Sequence, residues 1–262
     1  QRSDVLATTT FLVSHLSPST PLPPLPTDPP SDEKISQAQW KAVLDAPAHE
    51  AIRWMTAAAR QGHTEAQAVL GQWLLDGYGT AADAQNAFAW FLKAAQQGHA
   101  MAMNMTGRCL ENGWGTEPDP GAAVRWYRNA ANKGLDAGLY NLANQYATGR
   151  GIARDDAQAL ALYTRAAQSG HAKSMTKAGR YHEDGLGVPR DAAKAMGFYR
   201  LGAGGGDFRR QYQYARMLAE RGDVDASLEW LRRVPRTATA GFLEEAGQLL
   251  SSSPDARFLE RG

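Results

Sequence analysis

Along the middle of the chain, small and apolar residues recur at three-to-four spacing, with glycine between the blocks. Ala87, Trp90-Phe91 and Ala94-Ala95 form one such stripe, the spacing of a helix face turned toward a core. It returns at Ala123, Trp126-Tyr127, Ala130-Ala131, at Ala159, Leu162-Tyr163, Ala166-Ala167 and at Ala195, Phe198-Tyr199, Gly202-Ala203. Gly62, Gly98, Gly134, Gly170 and Gly206 share its register at intervals of 36 residues. A fixed period of this size marks an array of stacked repeats.

Each unit reads as two helices. Helix A, Thr64 to Asp76 in the first full copy, is stopped by a Gly-x-Gly turn that recurs as Gly77-Tyr78-Gly79, Gly113-Trp114-Gly115, Gly149-Arg150-Gly151 and Gly185-Leu186-Gly187. Glycine takes the left-handed conformation that a helix C-terminus needs. Helix B starts at Asp83, Asp119, Asp155 or Asp191, a carboxylate able to accept the free amides of the first turn. Pro120 suits the first helical position.

The motif resembles the Sel1-like repeat family, a relative of the tetratricopeptide repeats. The best single match runs from Leu70-Gly71 through Gly77, Gly79, Asp83, Ala87, Trp90-Phe91 and Lys93-Ala94-Ala95 to Gly98. The resemblance spans about residues 47–234, with Thr80 and Thr116 where valine is usual and His182 in the tyrosine place. It implies an all-α, right-handed α/α solenoid of Sel1-like or tetratricopeptide-like helix pairs. It also implies a non-catalytic scaffold or adaptor that holds a partner protein or peptide. Such proteins scaffold envelope or secretion complexes, regulate receptors or neutralise toxins, so an assembly factor, regulator or inhibitor is within range.

The repeats divide the chain into a proline-rich tail (1–30), a shortened first repeat (31–62), four full repeats (63–206), a shortened tetratricopeptide-like repeat (207–234) and a capping helix with its tail (235–262). Seven of the 13 prolines lie between Pro18 and Pro30, which favours extended polyproline conformation. The tail reads either as a disordered leader or as a strap over the array. In the first repeat, Ser31 or Asp32 is the expected cap, and Ile35, Trp40, Val43 and Leu44 the apolar side. Thr239 to Ser251 reads as the last helix.

Charge and composition narrow the chemistry. With 28 basic against 27 acidic residues, net charge is +1, which argues against a nucleic-acid binder. One cysteine, Cys109, excludes an internal disulfide framework and a cysteine-based zinc site. No apolar run of about 18 residues is present, so no membrane span is expected. The reading favours the cytoplasm, or the periplasm if a signal peptide was removed upstream of Gln1. His63, His99 and His171 follow the repeat glycines. Successive copies stand about a helix diameter apart, too far to share a metal ion, so they read as helix starts. No nucleophile elbow or phosphate loop occurs, and no enzyme, cofactor or metal is expected.

The tryptophans Trp54, Trp90, Trp126 and Trp230 are expected in the buried helix B place, while Tyr78 and Trp114, inside the Gly-x-Gly turns, are candidate loop contacts. By resemblance, helix A lines the concave side. Counting from the Leu-Gly pair puts Asn104, Arg108, Glu111, Tyr140, Asn144, Lys173, Arg180, Glu183, Tyr212 and Arg216 on that face. Amide, guanidinium and phenol groups suit an extended peptide; the alternative is a solvated face whose arginines pair with Glu111 and Glu183. A structural homo-oligomer and a hydrolase-like or small-ligand-binding repeat protein are the rival functions.

Overall fold

The computed structural model describes residues 35–205 and 208–234. Among them are twelve helices and no strand: α1 (Gln37–Asp45), α2 (Ala48–Arg60), α3 (Thr64–Asp76), α4 (Ala84–Gln96), α5 (Ala100–Asn112), α6 (Pro120–Asn132), α7 (Asp136–Thr148), α8 (Asp156–Gln168), α9 (Ala172–Asp184), α10 (Ala192–Gly204), α11 (Phe208–Glu220) and α12 (Val224–Leu231). Consecutive helices pack as pairs, the architecture of an α/α solenoid. Two compact units divide the chain. The first reaches Gly138 and includes Arg150–Ile152; the second takes Leu139–Gly149 and the residues from Ala153 onward.

The caps repeat with the sequence. Asp83, Asp119, Asp155 and Asp191 accept the amides of Asn86, Ala122, Gln158 and Lys194 at 2.8–3.0 Å. Each cap's own amide donates back to helix A, to the carbonyls of Leu74, Leu110, Tyr146 and His182 at 2.7–2.9 Å. One aspartate thus closes both ends of the loop. α1 departs from expectation: its cap is Ser36, which accepts from the Gln39 amide while its own amide donates to Gln39 Oε1 at 2.8 Å. The glutamine three residues on makes Ser36 the better cap. Ser31 and Asp32, the tail 1–30 and the helix expected at Thr239 to Ser251 lie outside the described residues.

The core of each pair is a ring seated in a slot. Phe91, Tyr127, Tyr163 and Tyr199 are fully buried, worth about 1.5–3 kcal/mol each. Facing three of them is a helix A glycine. A Cβ on Gly71, Gly107 or Gly179 would come within 2.6–2.8 Å of the ring, so the missing side chain is the space the ring fills. This corrects the expected place of the tryptophans. Trp54 is buried, but Trp90, Trp126 and Trp230 are half-buried; in the Trp90 and Trp126 pairs it is the second residue, Phe91 or Tyr127, that takes the slot. Trp73 on helix A, by contrast, is only 3% exposed.

The second glycine of each turn joins neighbouring repeats. Gly115 has φ +72, and a Cβ there would lie 2.0 Å from the carbonyl oxygen of Ala84, at the start of the preceding helix B. A Cβ on Gly79, Gly151 or Gly187 would likewise lie 2.3–2.6 Å from Ala48, Pro120 or the Asp156–Ala157 peptide.

Candidate functional site

In the first unit, α5 carries Asn104, Arg108 and Glu111 on successive turns. Glu111 accepts the Tyr127 hydroxyl at 2.5 Å and pairs with Arg150 at 3.4 Å. Arg150 also donates to the Glu111 carbonyl at 2.5 Å. The Arg108 guanidinium stands 5.0 Å from the centre of the Trp114 ring, a cation–π distance. Tyr78 packs on Trp73 with ring centroids 4.7 Å apart. Two of the residues between the turn glycines fold back onto helix A of their own repeat, Tyr78 on Trp73 and Trp114 on Arg108, while Arg150 reaches Glu111 on helix A of the preceding repeat.

In the second unit, Tyr199 donates to Glu183 at 2.7 Å, and Arg216 bridges Glu183 and Glu220. The Tyr163 hydroxyl donates to Asn144 Oδ1 at 2.6 Å. Tyr140 stands between Tyr163 and His171, at 5.9 and 5.2 Å. Lys173 and Arg180 are exposed on α9, and no ion pair holds either among the described residues.

Two of the ten expected face residues lie inside the core instead. Asn104 is 4% and Tyr212 8% exposed, because α5 and α11 turn those positions toward their packed neighbours. The other eight are exposed or half-buried. Arginines do meet Glu111 and Glu183: Arg216, itself a face residue, pairs with Glu183, and Arg150, from a Gly-x-Gly turn, pairs with Glu111.

Counting along helix A alone missed the tyrosine–carboxylate pairs. The signal was present in the repeats. Tyrosine faces glutamate in two copies, Tyr127 with Glu111 and Tyr199 with Glu183. Phe91, without a hydroxyl, has Leu75 at the glutamate position; Tyr163 has Ala147 there and bonds Asn144 instead. Burial first, then the carboxylate at the hydroxyl, raises the proton affinity of Tyr127 and Tyr199. Burial opposes the charge on Glu183, but the Tyr199 hydroxyl and the Arg216 guanidinium outweigh it and hold Glu183 below the usual carboxylate range.

The histidines are helix starts. His63, His99 and His171 are the N-caps of α3, α5 and α9. His99 Nδ1 accepts the Ala102 amide at 3.1 Å, and His171 Nδ1 lies 2.8 Å from Ser174 Oγ. Among the described residues no group of three potential metal ligands converges. Cys109 is buried, and that burial pushes its thiol up to about 12, which removes thiolate reactivity at neutral pH.

Burial lowers the proton affinity of His99 against an opposing pull from Glu65. His182, stacked on Phe198 at 5.7 Å, is lowered by burial and by Lys194. A histidine lowered in the fold leaves stability unchanged above its unfolded pKa, about 6.5. Below it the unfolded chain binds more protons, so stability falls as pH falls. His99→Asn keeps a capping side chain and removes one titrating group. Its urea midpoint is expected to drop less than wild type between pH 7.5 and 5.5; an equal drop would exclude His99 as a source.

No helix among the described residues is long and apolar enough to cross a membrane. Comparison with known proteins agrees with the architecture. The family model described as Sel1 repeat matches residues 48–63, 64–99, 100–135, 136–171 and 172–207. A Sel1 repeat protein from Oxalobacter formigenes has a similar structure, with TM-score 0.64 and 27% identity over 71% of this chain and 76% of that one. A protective antigen of uropathogenic Escherichia coli strains, displaying an SLR fold, gives TM-score 0.68 and 26% identity over 81% of this chain and 48% of that one. No curated protein matches. Five matched repeats, four of them full length and in the register of the repeated glycines and aspartates, establish that the chain belongs to the Sel1 repeat family.

Proposed function

We propose that this protein is a non-catalytic adaptor whose helix A faces hold an extended segment of a partner protein. The Sel1 repeat fold is generally a protein-interaction scaffold, and the face chemistry supports that use here. In the second unit the face comprises Tyr140, Asn144, Lys173, Arg180, Glu183 and Arg216. In the first it comprises Arg108 and Glu111, with Tyr78 and Trp114 at the adjoining turns.

One contrast carries the reading. Glu183 and Arg216 are locked by Tyr199 and Glu220, whereas Lys173 and Arg180, on the same helix α9 as Glu183, reach solvent without an ion pair among the described residues. Locked groups shape a rigid wall, which lowers the entropy lost on binding. The two cations, seven residues and so about two turns apart, offer charge-assisted bonds to carboxylates or backbone carbonyls of a partner. The Asn144 Oδ1 is taken by Tyr163, which points its amide nitrogen the other way as a donor.

The test is affinity capture from host lysate with wild type beside an Asn144→Ala/Lys173→Ala/Arg180→Ala variant. One partner recovered by wild type and lost by the variant is the expected result. The same partner held equally by both would remove this face from the proposal.

A further inference from the structure

The outward face of helix B in the first unit has an unbalanced charge that peptide capture by helix A does not use. Its exposed stripe is found by stepping from the residue before the first aromatic: −1, +3 and +6 relative to Trp54, Trp90 and Trp126. On α2 this stripe carries Arg53 and Arg60, on α4 Lys93, and on α6 Arg125, with Arg128 beside it; all five are exposed. Every other position of the stripe is alanine, glutamine or asparagine. Glu50, at the start of α2 beside His49 at 3.7 Å, is the one acid within the three helices. Asp83 and Asp119 sit at helix starts with their carboxylates on backbone amides. No ion pair holds the five cations among the described residues; Lys93 lies over the Trp90 ring at 4.4 Å.

The three helices belong to successive repeats. Trp90 packs on the cluster of Trp54, Met55, Leu70 and Trp73, and Trp126 on the cluster of Phe91, Ala94, Met105 and Cys109. Adjacent helices stand about 10 Å apart, so the cations spread over one broad face. We propose that this face docks the protein on an anionic phospholipid bilayer. Half-buried Trp90 and Trp126 lie beside the stripe, with Lys93 over Trp90, and amphipathic rings of this kind sit at the headgroup level of a bilayer. A nucleic-acid binder shows a strong overall basic excess, whereas net charge here is +1. What the face offers is long cations among short neutral side chains, which suits a planar, diffuse layer of negative headgroups. The interaction leaves helix A available, so it is independent of the peptide-binding proposal.

The test is co-sedimentation of the full chain with vesicles of phosphatidylcholine alone or mixed with phosphatidylglycerol. Binding is expected only to the phosphatidylglycerol vesicles at about 0.1 M salt and is lost at about 1 M, where the screening length falls to about 3 Å. Each cation near an anionic leaflet strengthens binding about fivefold. Arg53→Gln/Arg60→Gln/Arg125→Gln is therefore expected to weaken it about 100-fold. A charge-matched Arg190→Gln/Arg221→Gln/Arg232→Gln variant in the second unit keeps wild-type binding. Thermal unfolding of both variants checks that each is folded. Wild type that ignores anionic vesicles would overturn the proposal. So would equal weakening by the two variants, or binding to polyglutamate or duplex DNA with none to vesicles.

Discussion

Gly115→Ala is expected to destabilise the first unit by about 3 kcal/mol or more, against about 1 kcal/mol for Gly134→Ala. Both glycines have positive φ, +72 and +82. Holding an alanine in that region costs about 1–2 kcal/mol. At Gly134 nothing lies within 4 Å of the added carbon, so that cost is the whole effect. At Gly115 the carbon lands 2.0 Å from the Ala84 carbonyl oxygen and 2.7 Å from the Gln85 amide nitrogen. These are backbone atoms held by the start of α4, and they cannot rotate away. Overpacking adds about 1–3 kcal/mol, and relief would require the two repeats to separate. Urea unfolding of the two variants measures the difference. Equal losses would mean that the turn does not clamp neighbouring repeats.

Tyr127→Phe is expected to cost about 2 kcal/mol, and Glu111→Leu a similar amount, while the double variant costs under about 1 kcal/mol. A hydrogen bond to a charged group contributes about 1.5–3 kcal/mol, and a buried hydroxyl left without an acceptor costs about 1–3 kcal/mol. Tyr127 is wholly buried and donates to Glu111 at 2.5 Å, so Glu111→Leu strands a buried hydroxyl, and Tyr127→Phe takes a charge-assisted bond from Glu111 while its pair with Arg150 stays. The double change reproduces a combination the chain already carries one repeat earlier, Phe91 with Leu75. Arg150 retains its bond to the Glu111 carbonyl, and its half-exposed ion pair adds little. A double-mutant cycle in urea reads the coupling. Additive losses would show that hydroxyl and carboxylate are not one unit.

Most of the helix boundaries could be read from the chain because each is set by local chemistry. α3 runs from Thr64 to Asp76 as the spacing predicts, since Gly77 stops it and nothing distant is needed. α1 starts a few residues later than the expected Ser31 or Asp32 cap, because Ser36 is also a good capping residue. The Ser36–Gln39 capping box decides among them. Much of the candidate face was harder to read. A helical count locates a residue on a face but not how deeply the neighbouring helix covers it, and Asn104 and Tyr212 were lost to burial for that reason.

Local chemistry along the chain is enough to specify the repeat, its period, the helix pair and its caps. These rest on backbone conformation and interactions within a few residues: glycine at positive φ, aspartate on a first-turn amide, small residues every third or fourth place. The packing of whole helices settles which aromatic fills the glycine slot, that Tyr127 and Tyr199 reach across to Glu111 and Glu183, and that Arg150 and Arg216 complete those sites. Such pairings join residues 16 to 39 positions apart. Their geometry depends on where whole helices come to rest, and no local preference encodes that.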